Sequence, residues 1–200
     1  MTSSRRQSRA IALIDANILH SPLIRGLVLA FAEADLFQPR WSAEILNETI
    51  RSIARRRPDV ERAKLDLLRA SLELAFPDAA ITGYKGLIDG LSLPDANDLH
   101  VLAAAIRGRC DILVTLNLDD FPAERLSEFD IEPQHPDAFV RDYLLLHPAT
   151  ALSCIRSLLS ELKNPIITID QYLANLRRES MHLTAAEIEK ARDLLTPSAS

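Results

Sequence analysis

Short apolar runs alternate along this chain with longer stretches in which apolar residues recur every three or four positions. Residues 11–14 form a β-branched and aliphatic run that stops at Asp15, which predicts a buried strand carrying an acid at its C-terminal end. Residues 22–34 predict a helix, with Ser21 as N-cap and Pro22 in the first helical position. Leu36–Phe37 predict a second short strand. Ser42 then caps a helix whose Ile45, Leu46, Ile50 and Ile53 fall at helical spacing and which ends near Arg55–Arg57 and Pro58. Residues 59–75 predict a further amphipathic helix, residues 79–82 a strand, and residues 96–107 an alanine-rich helix stopped by Gly108. The clearest strand is 111–115, with Ile112, Leu113 and Val114 bounded by polar residues. Short buried strands alternating with helices predict an α/β sandwich around a mainly parallel sheet, a fold in which functional residues gather at the carboxyl ends of strands. Asp15 and Asn117 both sit just past such ends.

From residue 136 onward the pattern changes. No strand signal remains, and helical stretches near 137–146, 149–162, 168–178 and 184–195 are separated by Pro148, Asn164–Pro165 and the start signal at Leu183–Thr184. The chain therefore divides into a disordered N-terminus at 1–9, an α/β domain at 10–135 and an all-helical lobe at 136–200. With 200 residues, 48% hydrophobic and 26% charged, it has the composition of an ordinary soluble globular protein; no run nears the ~18 apolar residues of a membrane helix. The two cysteines, Cys110 and Cys154, lack partners at metal-ligand spacing, which points to a reducing, cytoplasmic setting. The net charge of −5 sets a condition on any nucleic-acid partner: charge must be locally segregated, or a cation must intervene.

Four acidic positions occupy strand ends or helix starts: Asp15, Glu48, Asp98 (with Asp95), and Asp120 (with Asn117). Carboxylates gathered in a cleft repel one another and need shared protons or cations, and a hard cation such as Mg²⁺ or Mn²⁺ meets that need with oxygen ligands. Each acid also has a structural role open to it. Asp15 and Asn17 can form a strand-to-helix turn, Asp95 can cap the helix beginning at Ala96, and Asp98 suits the positive end of that helix. Glu48 shares a polar face with Glu44, Arg51 and Arg55, where an ion pair would suffice. Taken singly, each acid has a structural explanation; the functional argument rests on the set.

That set appears in a recognisable order. IALIDANIL, then S-x-E-I-L-x-E, then D-x-x-D-L-H-V-L-A-A-A, then D-I-L-V-T-x-N-x-x-D-F resembles the PIN-domain fold, and within it the VapC-type toxins of bacterial toxin–antitoxin pairs. The resemblance covers about residues 10–135, and its most specific block runs from Pro94 to Phe121. It implies a PIN-like three-layer sandwich and a metal-dependent endoribonuclease in which Asp15, Glu48, Asp98 and Asp120 are catalytic. Asp15, Asp98, Asp120 and Asn117 would hold Mg²⁺ or Mn²⁺, with Asn17, Thr115 and Asp95 in support. Asn117 stands where many members carry Asp, so Asp119 is an alternative to Asp120, and Glu44 an alternative to Glu48. The family further implies an RNA substrate, a cognate antitoxin whose inserted Arg or Lys would meet the carboxylates, and the capacity to dimerise.

Arg51 and Arg55, on the Glu48 face, are the candidate contacts to an RNA backbone, with Arg56 and Arg57 continuing the run; the alternative is a basic helix end complementing the helix dipole. Lys85 and Arg177–Arg178 are poorer candidates, and His100 reads as structural. The helical lobe resembles an extension found in some of these proteins, on the segment from Lys163 to Leu176. Two rival functions remain. A haloacid-dehalogenase-like phosphatase needs a second Asp where this chain has Asn17, and a catalytically inactive PIN-like scaffold would bind RNA or protein without cleaving.

Overall fold

The structure, a computed structural model, describes residues 9–162 and 167–195. Apart from Arg9, the expected disordered N-terminus lies outside the described residues, as do the Asn164–Pro165 break and Lys163 of the lobe segment. Five strands form one sheet: β1 (Ile11–Ile14), β2 (Gln38–Ser42), β3 (Ala80–Ile81), β4 (Ile112–Val114) and β5 (Glu132–Gln134). Their order across the sheet is β3-β2-β1-β4-β5, and every neighbouring pair is parallel.

Sequence dictates the central elements directly. Three of the four β1 residues and two of the three β4 residues are buried, as an interior parallel strand requires. The turn α1 (Ala16–Leu19) follows β1, with Asp15 as its N-cap. In α2 (Pro22–Glu33) the Ser21 hydroxyl accepts the Ile24 N–H at 3.2 Å, and in α3 (Ala43–Arg56) the Ser42 hydroxyl accepts the Ile45 N–H at 3.1 Å. Helix α4 (Arg62–Ala75) leads to β3. The alanine-rich stretch begins as a single 3₁₀ turn, Ala96–Asp98, before α5 (Leu99–Arg107). Ala103, Ala104 and Ala105 are fully buried there, and side chains that small let α5 approach the sheet closely at β2. After β4 comes α6 (Ala123–Leu126), and beyond β5 the helices α7 (Pro136–Leu146), α8 (Pro148–Glu161), α9 (Ile169–Arg178), α10 (His182–Lys190) and α11 (Arg192–Leu195).

Two strands depart from the sequence reading. The second strand is not Leu36–Phe37 but Gln38–Ser42, because α2 ends in a left-handed turn. Asp35 takes a φ of 64°, and the Leu36 N–H reaches back to the Phe31 carbonyl at 3.0 Å, so these residues close the helix. The strand QPRWS buries Pro39 and Trp41 in alternation and carries no apolar run. The edge strand β5, sequence EPQ, has no hydrophobic signal at all.

The strand order defines where a site can lie. From β1 the chain moves toward β2 and β3; from β4 it moves the other way, to β5. Right-handed crossovers in opposite directions put helices on opposite faces, which gives three layers, and leave a crevice at the carboxyl ends of β1 and β4, where the direction reverses. The C-terminal helices pack on α2 through α7, α8 and α9. Within them the buried Asp137 accepts the Leu183 and Thr184 N–H groups at 2.8 and 2.7 Å, capping α10 from another helix. Across to the α/β part, the Ser21 hydroxyl donates to Glu179.

Candidate active site

Asp15 leaves β1 at the reversal point and is 8% exposed. Its Oδ1 accepts the Ala16 N–H at 2.6 Å; its Oδ2 accepts the Asn17 amide at 2.6 Å and the Thr115 hydroxyl at 2.8 Å. Thr115 is fully buried at the end of β4, and its Oγ also accepts from Asn17 Nδ2 at 2.9 Å and from the Asn117 N–H at 3.1 Å. The Asn17 carbonyl closes the loop by accepting the Leu116 N–H at 3.1 Å. Adjacent parallel strands β1 and β4 thus present one interlocked polar cluster. Burial raises the Asp15 carboxyl above its ordinary value, and Glu48 raises it further, against the hydrogen bonds from Thr115 and Ala16 and the nearby His100.

Asp98, half-buried at the start of α5, receives no capping hydrogen bond. Burial pushes its carboxyl up to about 6, and the negative charges of Asp15, Asp120 and Asp95 push in the same direction. Asp15, Asp120 and Asp95 therefore all act on Asp98. Asp95 does what a cap does: its Oδ1 accepts the Asn97 backbone N–H at 2.8 Å and the Asn97 amide at 2.9 Å. Asn117 donates its side-chain amide to Asp120, while Asp119 is exposed.

On α3 the two glutamates separate. Glu44 accepts from the Tyr84 hydroxyl at 3.1 Å, whereas Glu48 lies 3.1 Å from His100 Nε2 and within the field of Asp15. His100 is thus part of the cluster, which the spacing from Asp98 had not suggested. The missing signal is tertiary: Glu48 on α3 and His100 on α5 meet only in the folded chain. Burial lowers the His100 imidazole, but its hydrogen bond to Glu48 and the charges of Glu48, Glu44 and Asp98 more than offset this and raise it.

Arg51 and Arg55 border a surface recess with Glu48, Arg51 reaching Glu48 at 3.7 Å. Arg56 turns away toward His20, with Nη1 2.7 Å from Nε2, and Arg57 pairs with Asp59. A groove of about 930 Å³ begins at Leu116, beside the Asp15 cluster, and is lined by Arg25, Arg56, Arg57 and Lys64, against one lining acid, Glu179. Positive charge is therefore gathered beside the acids despite the chain's net charge of −5.

Among the described residues, no group of three or more His, Cys, Asp or Glu side chains stands close enough to hold a metal ion. The donor chemistry itself fits a hard divalent cation. Asp15, Asp98 and Asp120 offer oxygen only, and the like-charge crowding that adds to burial in lifting Asp98 to about 6 is the kind a cation relieves. Among those residues no helix is long and apolar enough to cross a membrane, and both cysteines are free.

Comparison with known proteins agrees with this geometry. Residues 12–119 match the family profile of the PIN domain, and residues 136–190 match that of the VapC50 C-terminal domain. The chain is 35% identical over 118 residues to a protein of Mycobacterium tuberculosis (strain ATCC 25618 / H37Rv) named "Putative ribonuclease VapC50". That alignment covers 59% of this chain and 66% of the relative, just under two thirds of its length. No solved structure matches the chain significantly. With its reversal-point acids between parallel strands and more than half its length inside the profile, this chain belongs to the PIN-domain family.

Proposed function

We propose that this chain is a metal-dependent endoribonuclease toxin that acts in the cytoplasm on RNA phosphodiester bonds and is neutralised by a cognate antitoxin. The observation that carries the reading is the Asp98 carboxyl, raised to about 6 by burial and by the acids around it at the sheet's reversal point. Like charges so placed favour a bound cation over an empty cleft. The family and the similarity to a protein named a ribonuclease support the choice of reaction.

Asp15, Asp98 and Asp120 would hold the cation, with the Asn117 amide oxygen as a further donor. The chemistry a bound Mg²⁺ or Mn²⁺ supplies is Lewis acidity toward a phosphodiester oxygen and a lowered proton affinity of water. The chain's own residues do the rest. Asn17 and Thr115 hold Oδ2 of Asp15 and the Ala16 N–H holds Oδ1, so the carboxylate keeps one orientation. Glu48 stands ready to take a proton within the same field. Arg51 and Arg55, in the recess beside Glu48, offer cations to the RNA backbone. The same carboxylates would receive an Arg or Lys from the antitoxin, and a homodimer is part of this reading.

The test is cleavage of total bacterial RNA by the purified protein with Mg²⁺ or Mn²⁺, beside EDTA and Asp98→Asn controls. Discrete fragments that vanish in both controls are expected. Intact RNA with a folded, metal-binding protein would instead mark a scaffold that binds without cutting.

A further inference from the structure

We propose that His100 is a positioning residue of the acidic cluster: its Nε2–H holds Glu48 through Oε1, keeping that carboxylate within the field of Asp15. For the cation this inference rests on the function proposed above; for the Glu48 contact it does not.

His100 is only 8% exposed, in the first turn of α5, and its one short polar side-chain contact among the described residues is Glu48 Oε1 at 3.1 Å. Its other nitrogen, Nδ1, is buried with no hydrogen-bond partner among the described residues. Leaving a buried nitrogen unpaired is unfavourable, and a leucine or methionine would fill the same volume without that penalty. All of the side chain's polar capacity is directed at Glu48. Arg51 approaches the same oxygen more loosely, at 3.7 Å, from an exposed position. Both contacts fall on Oε1 and leave Oε2 available.

Through its Nε2–H the short, rigid imidazole donates one directed hydrogen bond to the carboxylate. Holding a carboxylate from behind in this way narrows the orientations it samples, as the outer partners of metal ligands do.

The experiment compares His100→Ala, His100→Leu and His100→Gln in the full chain. Glutamine's amide nitrogen can stand in for Nε2, whereas leucine restores volume alone. Mn²⁺ affinity by calorimetry is expected to fall about tenfold or more in the alanine and leucine variants and to recover in the glutamine variant. Cleavage should follow the same order through kcat, with KM little changed. Leucine performing as well as glutamine would mean that His100 is a packing residue and would overturn the proposal. A second readout needs neither metal nor RNA: in proton NMR of the apo protein the His100 Nε2–H should be protected from exchange with water, and that protection should be lost in Glu48→Ala. Unchanged protection in Glu48→Ala would sink the proposal while leaving the ribonuclease reading intact.

Discussion

The molecule buries two aspartates, one in each half, and they are held in opposite ways. Asp137, 5% exposed, gives both oxygens to backbone N–H groups at the start of α10 and so staples two helices of the lobe. Asp15, 8% exposed, accepts three short hydrogen bonds, yet it lies in the field of Glu48 and acts on Asp98. Depth and hydrogen bonding therefore do not separate structure from chemistry here; the charge of the neighbours does. Asp137 gives its oxygens to helix N–H groups, whereas the Asp15 cluster concentrates charge that folding alone leaves unrelieved.

Substitution should break this contrast cleanly. Asp98→Asn is expected to lower RNA cleavage at least about a thousandfold, since positioning a cation is worth several kcal/mol in the transition state. Its melting temperature should hold steady or rise, because a repelled charge is removed. Asp137→Ala should do the reverse, costing about 3 kcal/mol in urea unfolding as two buried N–H groups lose their acceptor, with cleavage per folded molecule unchanged. Equal loss of activity in both variants would collapse the distinction.

Thr115→Val sits between these extremes. It removes a donor from Asp15 and an acceptor from Asn17 and Asn117, and is expected to cost about 1–3 kcal/mol of stability and to weaken Mn²⁺ binding about tenfold. The smallest effect concerns pH. The folded Asp98 carboxyl titrates near 6 against an ordinary 3.8, so the neutral form is favoured in the fold. Its contribution is fully present below about pH 4 and is lost as pH rises through 6. The metal-free protein should therefore melt a few degrees lower at pH 7 than at pH 5, by no more than about 1 kcal/mol after solvent screening, and Asp98→Asn should flatten that slope.

The parts of the site legible in the sequence are those written locally. The β1 and β4 runs announce their own strands, and Asp15, Asn17 and Thr115 follow from their position at the strand ends. The Asp95 cap is local too. What sequence could not show is what only tertiary structure supplies. QPRWS and EPQ become strands because neighbours offer them a ladder and, for Pro39 and Trp41, a core to enter; neither carries an apolar run of its own. Glu44 and Glu48 are indistinguishable by helical phase and part company only when Tyr84 takes one and His100 the other.

The parallel order β3-β2-β1-β4-β5 also sets a clock on the growing chain. The hydroxyl that orients Asp15 lies 100 residues downstream, and β1 gains its second neighbour only when β4 has emerged. At a synthesis rate of about 5–20 residues per second, roughly 5–20 seconds separate the appearance of the first acid from the completion of its cluster. A half-made chain on the ribosome, surrounded by the RNA it is proposed to cut, holds its first carboxylate without the partners that would arm it.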